Sequence, residues 1–201
     1  MVVQTPMTAR VTLFSAFLAA ALASGCSSGN TPVVRHAQPT TAPAEVAGLS
    51  TPKPVQSIQA LCPVPTGWKA EPIKQSDKHT HQVWLSPSGH TAYGVIHFSL
   101  PLPVGAEMVL PFYLKAMKKT EGEAILQRKE RDPNLPGIRF VAEGGQYKTW
   151  TNLIVNGFEG WAVYAGAIRN QEIDPAELDL AKRAREHTRV GLPLDSVADT
   201  E

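Results

Sequence analysis

The sequence lacks the features that several common functions require. Its 201 residues contain 19 Lys and Arg against 18 Asp and Glu, which gives a formal net charge of +1. This balance gives no electrostatic reason to expect a nucleic-acid partner or an acidic substrate. Only two cysteines are present, Cys26 and Cys62. Two cysteines are too few for a disulfide-rich scaffold or for a metal site built from four thiolates.

Aromatic residues are absent from residues 18–67. Phe14 and Phe17 precede this gap, and the other twelve of the 14 aromatics lie between Trp68 and Tyr164. Because aromatic side chains supply much of the buried area of a core, the folded body is predicted to span roughly residues 57–191. A loose tail is expected over residues 192–201.

The N-terminus is typical of an export signal. Arg10 precedes an apolar run over residues 11–22, which is shorter than the roughly 20 residues that a membrane span requires. The run ends in Leu-Ala-Ser-Gly-Cys at Cys26, which resembles the lipobox of bacterial lipoproteins. We therefore expect residues 1–25 to be removed and Cys26 to carry fatty acyl chains such as palmitate, which would anchor the protein to a bacterial membrane. The alternative is an ordinary secretory cleavage, which would leave Cys26 free to form a disulfide with Cys62.

Residues 26–56 are rich in Ser, Thr, Pro and Ala and contain few charges. Such a composition buries too little apolar surface to order itself, and it predicts a disordered tether between the lipidated cysteine and the folded domain.

The folded body contains a hairpin, a helix, a run of strands and a closing helix. Residues 82–86 and 91–100 form the predicted hairpin, and residues 106–119 form a helix that tolerates Pro111 only in its first turn. Strands follow over residues 124–131, 138–143, 146–155 and 158–168, the last three joined by Gly144-Gly145 and Asn156-Gly157 loops. Asp174, Pro175 and Glu177 mark the start of the closing helix, as N-cap, first helical residue and capping-box acid. The apolar stripe of the closing helix is thin, so this helix is expected to cover one edge of the core.

The predicted strands are grouped and antiparallel, and the helices are segregated from them. This order indicates an α+β fold, in which a hairpin and a meander are packed by a central and a C-terminal helix.

This order of elements, opened by Pro65-Thr66-Gly67-Trp68, resembles the PsbP-like fold over about residues 62–187. Several bacterial lipoproteins carry such a domain behind a lipobox and a linker. The resemblance implies a non-enzymatic binding or assembly factor, and it supplies no catalytic residue.

Four of the six histidines, His79, His81, His90 and His97, fall within the hairpin. Imidazoles on adjacent strands are suitable ligands for zinc or copper. The pairing that keeps the apolar residues on one face places Thr80 opposite His97, with His79 and His81 on the other face from His97. This register argues against a metal cluster and favours ordinary surface or rim histidines.

The remaining chemical candidates have ordinary explanations. Gly25-Cys26-Ser27-Ser28-Gly29 fits the serine-hydrolase pattern G-x-S-x-G by chance, because no strand and helix flank it. Cys62 lies in an apolar segment without a neighbouring cation, and burial is expected. A basic concentration, interleaved with acids, suggests a solvated face or a contact with lipid headgroups: Lys115, Lys118, Lys119, Arg128, Lys129 and Arg131. The meander face that presents Trp150 or Trp161 is the favoured partner site.

The sequence thus predicts an exported lipoprotein on the periplasmic or outer face of a bacterial membrane, anchored through Cys26. We expect a non-enzymatic binding or assembly module of the envelope, with no catalytic, cofactor or metal residues and an unidentified protein or small-ligand partner. The alternative is a metal-handling protein or an enzyme that uses the hairpin histidines.

Overall fold

The structure, a computed structural model, describes residues 47–132 and 136–191. Two helices are present, α1 (Ala106–Glu121) and α2 (Pro175–His187), and a short 3-10 helix spans Gln56–Ile58. The strands are β1 (Lys53–Val55), β2 (Ala60–Cys62), β3 (Lys69–Ala70), β4 (Lys74–Gln75), β5 (His79–Leu85), β6 (Thr91–Ser99), β7 (Ala124–Arg131), β8 (Gly137–Gly144), β9 (Tyr147–Asn156), β10 (Glu159–Ile168) and β11 (Arg189–Val190). The predicted α+β class is confirmed.

The main sheet has the strand order β3-β5-β6-β10-β9-β8-β7, and β4 also pairs with β5. Every pairing is antiparallel. The chain leaves β6 through α1 and returns at the far edge with β7, so that the β7–β10 meander closes back onto β6. Three short strands form a second sheet in the order β1-β2-β11.

The hairpin register agrees with the prediction. Trp84 lies opposite Tyr93, Val83 opposite Gly94 and Thr80 opposite His97. A slip of one residue would exchange the side chains that one strand contributes to the two faces, so the packing of both core clusters favours this register.

The meander is also as predicted, but its loops lie one residue later. Asn156 pairs with Glu159, which leaves Gly157 and Phe158 as the two loop residues. Gly157 has a φ of 62°, and a positive φ at the first loop position is typical of a type II′ turn. Gly145 and Gln146 separate β8 from β9, also one residue later than predicted, but Gly145 does not have a positive φ.

Helix α1 packs on one face of the main sheet, called the α1 face below. Its inward side chains join the core residues of β6, β8, β9 and β10, and they are Ala106, Val109, Leu110, Tyr113 and Met117. Gly122 ends the helix with a φ of 81°. The expectation that Pro111 lies in the first turn was wrong, because the helix begins at Ala106 and Pro111 falls in the second turn. Pro111 and Glu107 are both exposed, so water can reach the Glu107 carbonyl that Pro111 leaves without a donor.

Helix α2 and the small sheet cover the opposite face, called the α2 face. Ala181 and Ala184 are fully buried against a core that contains Tyr93, Trp161 and Val163. The prediction that this helix covers only an edge was wrong. Alanine side chains let α2 approach the middle strands β6 and β10 closely, so a thin apolar stripe covers the centre of the sheet.

The start of α2 carries both a confirmed cap and a corrected one. Asp174 accepts a hydrogen bond from the Ala176 backbone N–H at 2.8 Å, as an N-cap does. Glu177 is not the partner of a capping box. Its carboxylate accepts from the backbone N–H of Ser88 at 3.1 Å and from the Ser88 hydroxyl at 2.5 Å, which ties α2 to the β5–β6 turn.

The predicted tether overlaps the folded domain. Leu49 is buried in the α2-face core and bridges to Pro65, and β1 pairs with β2. The prediction of disorder was therefore wrong for residues 47–56. The predicted signal peptide, Cys26, the tether up to residue 46 and the tail over residues 192–201 lie outside the described residues.

Within the described ranges, no helix has the length and apolarity needed to cross a membrane.

Candidate functional site

His81 is held inside the α1 face. Its side chain shares a 2.7 Å hydrogen bond between Nε2 and the Tyr164 hydroxyl, and the residue is only 2% exposed. Burial is the main cause that lowers the pKa of His81 to about 3, and the charges of the neighbouring His79 and Lys74 act in the same direction. The expectation of a surface or rim histidine was wrong here, because Tyr164 supplies the partner that lets a neutral imidazole stay buried.

Gly94 makes room for this pair. It lies opposite Tyr164 on β10, and an added Cβ would approach the Tyr164 hydroxyl oxygen to 2.5 Å. The absence of a side chain at Gly94 lets the phenol ring pass over β6 and reach β5. The His81–Tyr164 contact therefore depends on three adjacent strands.

The other hairpin histidines have separate partners. The Nδ1 atom of His79 lies 2.9 Å from the Ser76 hydroxyl, and His90 Nδ1 donates to the Glu172 carbonyl at 3.0 Å. His97, on the α2 face, donates from Nε2 to the Glu159 carboxylate at 2.6 Å and stacks on Trp161. The register thus places His81 and His97 on opposite faces of the sheet.

This arrangement does not favour metal or nucleophile chemistry. Among the residues that the structure describes, no three His, Cys, Asp or Glu side chains are grouped to hold a metal ion. Ser99 lies beside His97 and Glu159, but its hydroxyl donates to the carboxylate at 3.3 Å rather than to the imidazole. A serine nucleophile requires a hydrogen bond to its base, so the order of these three groups is unsuitable. The alternative based on the hairpin histidines is not favoured.

Cys62 is fully buried, as expected. Burial raises the pKa of its thiol to about 12, so the reactive thiolate is not formed at neutral pH. Beside it, the buried Tyr93 hydroxyl lies 2.5 Å from Thr188 Oγ1, which in turn donates to the Ala184 carbonyl at 2.7 Å. Cys62 thus packs where β2, β6 and the end of α2 meet.

The two tryptophans proposed for the partner site have different positions. Trp161 belongs to the core: it is 2% exposed, and its Nε1–H donates to the Ile58 carbonyl at 2.9 Å. Trp150 is half-buried at the margin of the α2-face core. The ammonium groups of Lys182 and Lys148 lie 4.3 Å and 5.7 Å from its ring centre. Trp150 therefore supplies an aromatic surface flanked by cations.

Polar side chains surround Trp150 on the same side of the sheet. Asn152 follows it at the next same-face position of β9, and Arg139 and Val141 lie opposite these two residues on β8. Arg139 Nε donates to the buried Asp132 carboxylate at 2.8 Å. We use the name Trp150 face for the following residues of β8, β9 and α2: Arg139, Val141, Lys148, Trp150, Asn152, Lys182 and Arg185.

Arg185 is the most buried cation of the Trp150 face, at 9% exposure. Its Nη2 donates to Glu186 at 2.9 Å, and burial lowers the pKa of its guanidinium, with the charge of Arg139 acting in the same direction. In the part of the chain that the structure describes, Arg185 Nε and Asn152 Oδ1 are buried without a hydrogen-bond partner. A buried polar atom without a partner costs free energy, so these two atoms leave unused hydrogen-bonding capacity beside Trp150.

The sequence missed Arg139, Asn152, Lys182 and Arg185. One signal pointed to Arg185: it lies four residues after Ala181 and next to Ala184, within the buried stripe of α2. Neither Arg139 nor Asn152 stands out locally, because strand alternation alone does not show which face the helix leaves partly open.

The chain was compared with known proteins. No protein-family model matches it, and no curated protein matches it. The structure is similar to the solution structure of cyanobacterial PsbP (CyanoP) from Synechocystis sp. PCC 6803. The TM-score is 0.51 at 13% sequence identity, and the match covers 73% of this chain and 95% of that chain. The expected PsbP-like fold is thereby supported.

Proposed function

We propose that this chain is a bacterial envelope lipoprotein, anchored through Cys26, whose PsbP-like domain binds a partner without catalysis. The observation that carries the binding role is the Trp150 face. It combines a half-buried aromatic ring, two lysines over that ring and a buried arginine. Tryptophan and arginine are the residue types that most often dominate the energy of protein interfaces.

The state of the other reactive groups supports a non-enzymatic role. His81 is neutral and buried, the Cys62 thiol is protonated, and Ser99 donates to a carboxylate. The cations of the Trp150 face favour a partner whose contact surface is acidic or rich in carbonyl groups.

Affinity purification from native membranes tests the binding role. The lipidated full chain is compared with Trp150→Ala, and Phe158→Ala serves as the control because Phe158 is a 46% exposed aromatic in the β9–β10 loop, outside the Trp150 face. We expect one set of proteins to be recovered with the wild type and the control and to be depleted at least tenfold with Trp150→Ala. Equal recovery with all three would contradict the proposal.

Membrane fractionation of cells tests the anchor. After a wash at high ionic strength, which removes electrostatically held protein, we expect the wild type in the membrane fraction and Cys26→Ala in the soluble exported fraction, because acyl chains on Cys26 supply the attachment. Mass spectrometry of the mature N-terminus provides the second readout. An unmodified cysteine at position 26 would show that the protein is not anchored by lipid at this residue.

A further inference from the structure

Helix α1 presents one line of side chains to solvent. Met108, Phe112, Lys115 and Lys119 follow a spacing of four, three and four residues, which at 100° per residue keeps them within an arc of about 60°. The buried residues of α1 are centred on the opposite side of the helix. We call these four residues the outer stripe of α1.

The N-terminal half of the outer stripe is apolar. Met108 is 62% exposed and Phe112 is 45% exposed, and Leu102, in the segment before α1, is 61% exposed. Met108 and Phe112 are neighbours on the helix surface because they lie four residues apart. No other described helix carries an exposed large apolar residue, since α2 presents charged side chains to solvent.

The C-terminal half of the outer stripe is cationic, and its charge is not neutralised. Lys115 and Lys119 of the stripe, and Lys118 on its flank, form no ion pair in the described part of the chain. The nearby acids have other partners: Glu107 pairs with Lys129 at 2.7 Å, and Glu123 pairs with Arg169 at 3.0 Å. Glu121 accepts from the Gln146 backbone N–H at 3.1 Å. The structure thus distinguishes two ion-paired residues of β7, Arg128 and Lys129, from the three unpaired lysines of α1.

We infer that the outer stripe of α1 lies on the surface of an anionic lipid bilayer, with Met108 and Phe112 inserted between headgroups and the three lysines beside lipid phosphates. Helices that lie in the membrane interface present apolar side chains and lysines to the bilayer, as the exposed aromatic ring, the thioether and the unpaired lysines of α1 do. An anionic leaflet complements the lysine charge and accepts the apolar side chains, which water does not. This inference rests on the proposed anchor, which would hold the domain at the membrane.

The length of the chain is compatible with this orientation. The described residues begin at Ala47, whose carbonyl accepts from Arg183 of α2, so the chain enters the domain on the α2 face. Twenty residues separate Cys26 from Ala47, which at full extension reach about 70 Å. A domain of this size has a radius of gyration of about 14 Å, so the chain is long enough to pass around it. With α1 on the bilayer, the Trp150 face points away from the membrane.

Vesicle binding without the lipid anchor tests the inference. The probe is the chain from residue 26 with Cys26→Ala, which keeps all of the described residues, mixed with vesicles of phosphatidylcholine alone or with about 30% phosphatidylglycerol. We expect co-sedimentation with the anionic vesicles only, and loss of binding at high salt. Neutralising all three lysines, Lys115→Gln, Lys118→Gln and Lys119→Gln, should weaken binding by about 100-fold, at roughly fivefold for each charge.

A matched control removes the same charge elsewhere. Lys53→Gln, Lys69→Gln and Arg189→Gln neutralise three exposed cations of other elements, and this variant should bind anionic vesicles within about threefold of the wild type. Equal losses in the two triple variants would show attraction by net charge alone and would overturn the inference. Equal binding by the α1 triple variant and the wild type would also overturn it.

Insertion is measured with a fluorophore on the helix. Because Cys62 is fully buried, Phe112→Cys introduces a thiol that an environment-sensitive dye labels selectively. We expect a blue shift with anionic vesicles for this label and none for the same label at Lys53→Cys. A label at residue 112 that stays in water with these vesicles but shifts on adding membrane proteins would assign the stripe to a protein partner instead. If the vesicle and fluorescence experiments contradict the inference, the fractionation of Cys26→Ala still tests the anchor separately.

Discussion

At the scale of residues, the burial of His81 and Tyr164 is explained by the hydrogen bond between them and not by a catalytic role. His81 and Tyr164 satisfy one another inside the α1 face, and Gly94 leaves the space that their contact requires. An unsatisfied buried polar atom costs about 1–3 kcal/mol, so this pair constrains the relative positions of β5, β6 and β10. The sequence showed the register that places His81 on the face of Val83, but it did not show its partner Tyr164, five strands later in the chain.

The lowered pKa of His81 predicts that acid destabilises the fold. The pKa is about 3 in the folded state against an ordinary value of 6.5, so below pH 6.5 the unfolded chain takes up a proton that the folded chain does not. The free energy of unfolding should therefore decrease as the pH falls from 6.5 towards 3, by up to about 1.4 kcal/mol per pH unit from this group.

Urea unfolding of the wild type and of His81→Gln, at pH 7 and pH 5, measures this contribution. Between these values the wild type should lose about 2 kcal/mol more than the variant. Burial lowers the pKa of His79 as well, so His79 contributes in the same direction in both proteins and cancels in the comparison. Identical losses in the two proteins would show that His81 is not buried in its neutral form.

The close approach of Tyr164 to β6 predicts that Gly94→Ala is destabilising. The added methyl would lie 2.5 Å from the phenol oxygen and 2.6 Å from the adjacent ring carbon, and both belong to a fully buried ring. We expect a loss of about 1–3 kcal/mol in the free energy of unfolding. Gly105→Ala, where no atom lies within 4 Å of the added carbon, should cost less than about 1 kcal/mol. Similar losses at the two positions would contradict the packing of Tyr164 over Gly94.

At the scale of elements, those with a strong local pattern could be predicted and those defined by their partners could not. The β5–β6 register follows from alternation, because only one pairing buries Val83, Ile96 and Phe98 together. Strand β1 reads Lys-Pro-Val and has no such pattern. It forms because β2 offers a partner edge, and Pro54 is tolerated because β1 is the outer strand of its sheet.

The N-cap of α2 predicts a measurable effect of a single side chain. Asp174 satisfies the Ala176 backbone N–H, which has no partner within the helix. Asp174→Ala should lower the free energy of unfolding by about 1 kcal/mol, and the thermal midpoint should fall accordingly. Glu172→Ala removes the same charge two residues earlier without removing a cap, and we expect a change below about 0.5 kcal/mol. Equal effects of the two variants would assign the effect to charge rather than to capping.

At the scale of the whole molecule, the sheet separates two surfaces of different chemistry. The α1 side presents exposed apolar residues and unpaired lysines, and the α2 side presents Trp150 with the arginines beside it. The sequence could predict the fold, because strand order follows from local patterns, and it offered Trp150 and Trp161 as alternatives for the partner site, of which the structure leaves only Trp150 outside the core. Arg139 and Arg185 meet only after β8 and α2 pack on the same face, so tertiary structure decides that part of the site.

The position of Leu49 predicts that the domain begins before the proline-rich segment ends. If the N-terminal segment is part of the fold, Leu49→Ala should cost about 2–3 kcal/mol, because Leu49 is buried in the α2-face core. Thr51→Ala changes an exposed residue of the same segment and should cost less than about 0.5 kcal/mol. If Leu49→Ala is as stable as the wild type, residues 47–56 belong to the tether and not to the folded domain.

Photocrosslinking in living cells tests the central claim, that this is a membrane-anchored binding module with its partner site on the Trp150 face. A photoreactive aromatic amino acid, which keeps an aromatic ring at the position, replaces Trp150 in one variant and Phe112 in another, with Cys26 intact in both. We expect a discrete protein adduct from position 150 and lipid adducts without a discrete protein from position 112. A discrete protein adduct from position 112, together with none from position 150, would contradict it.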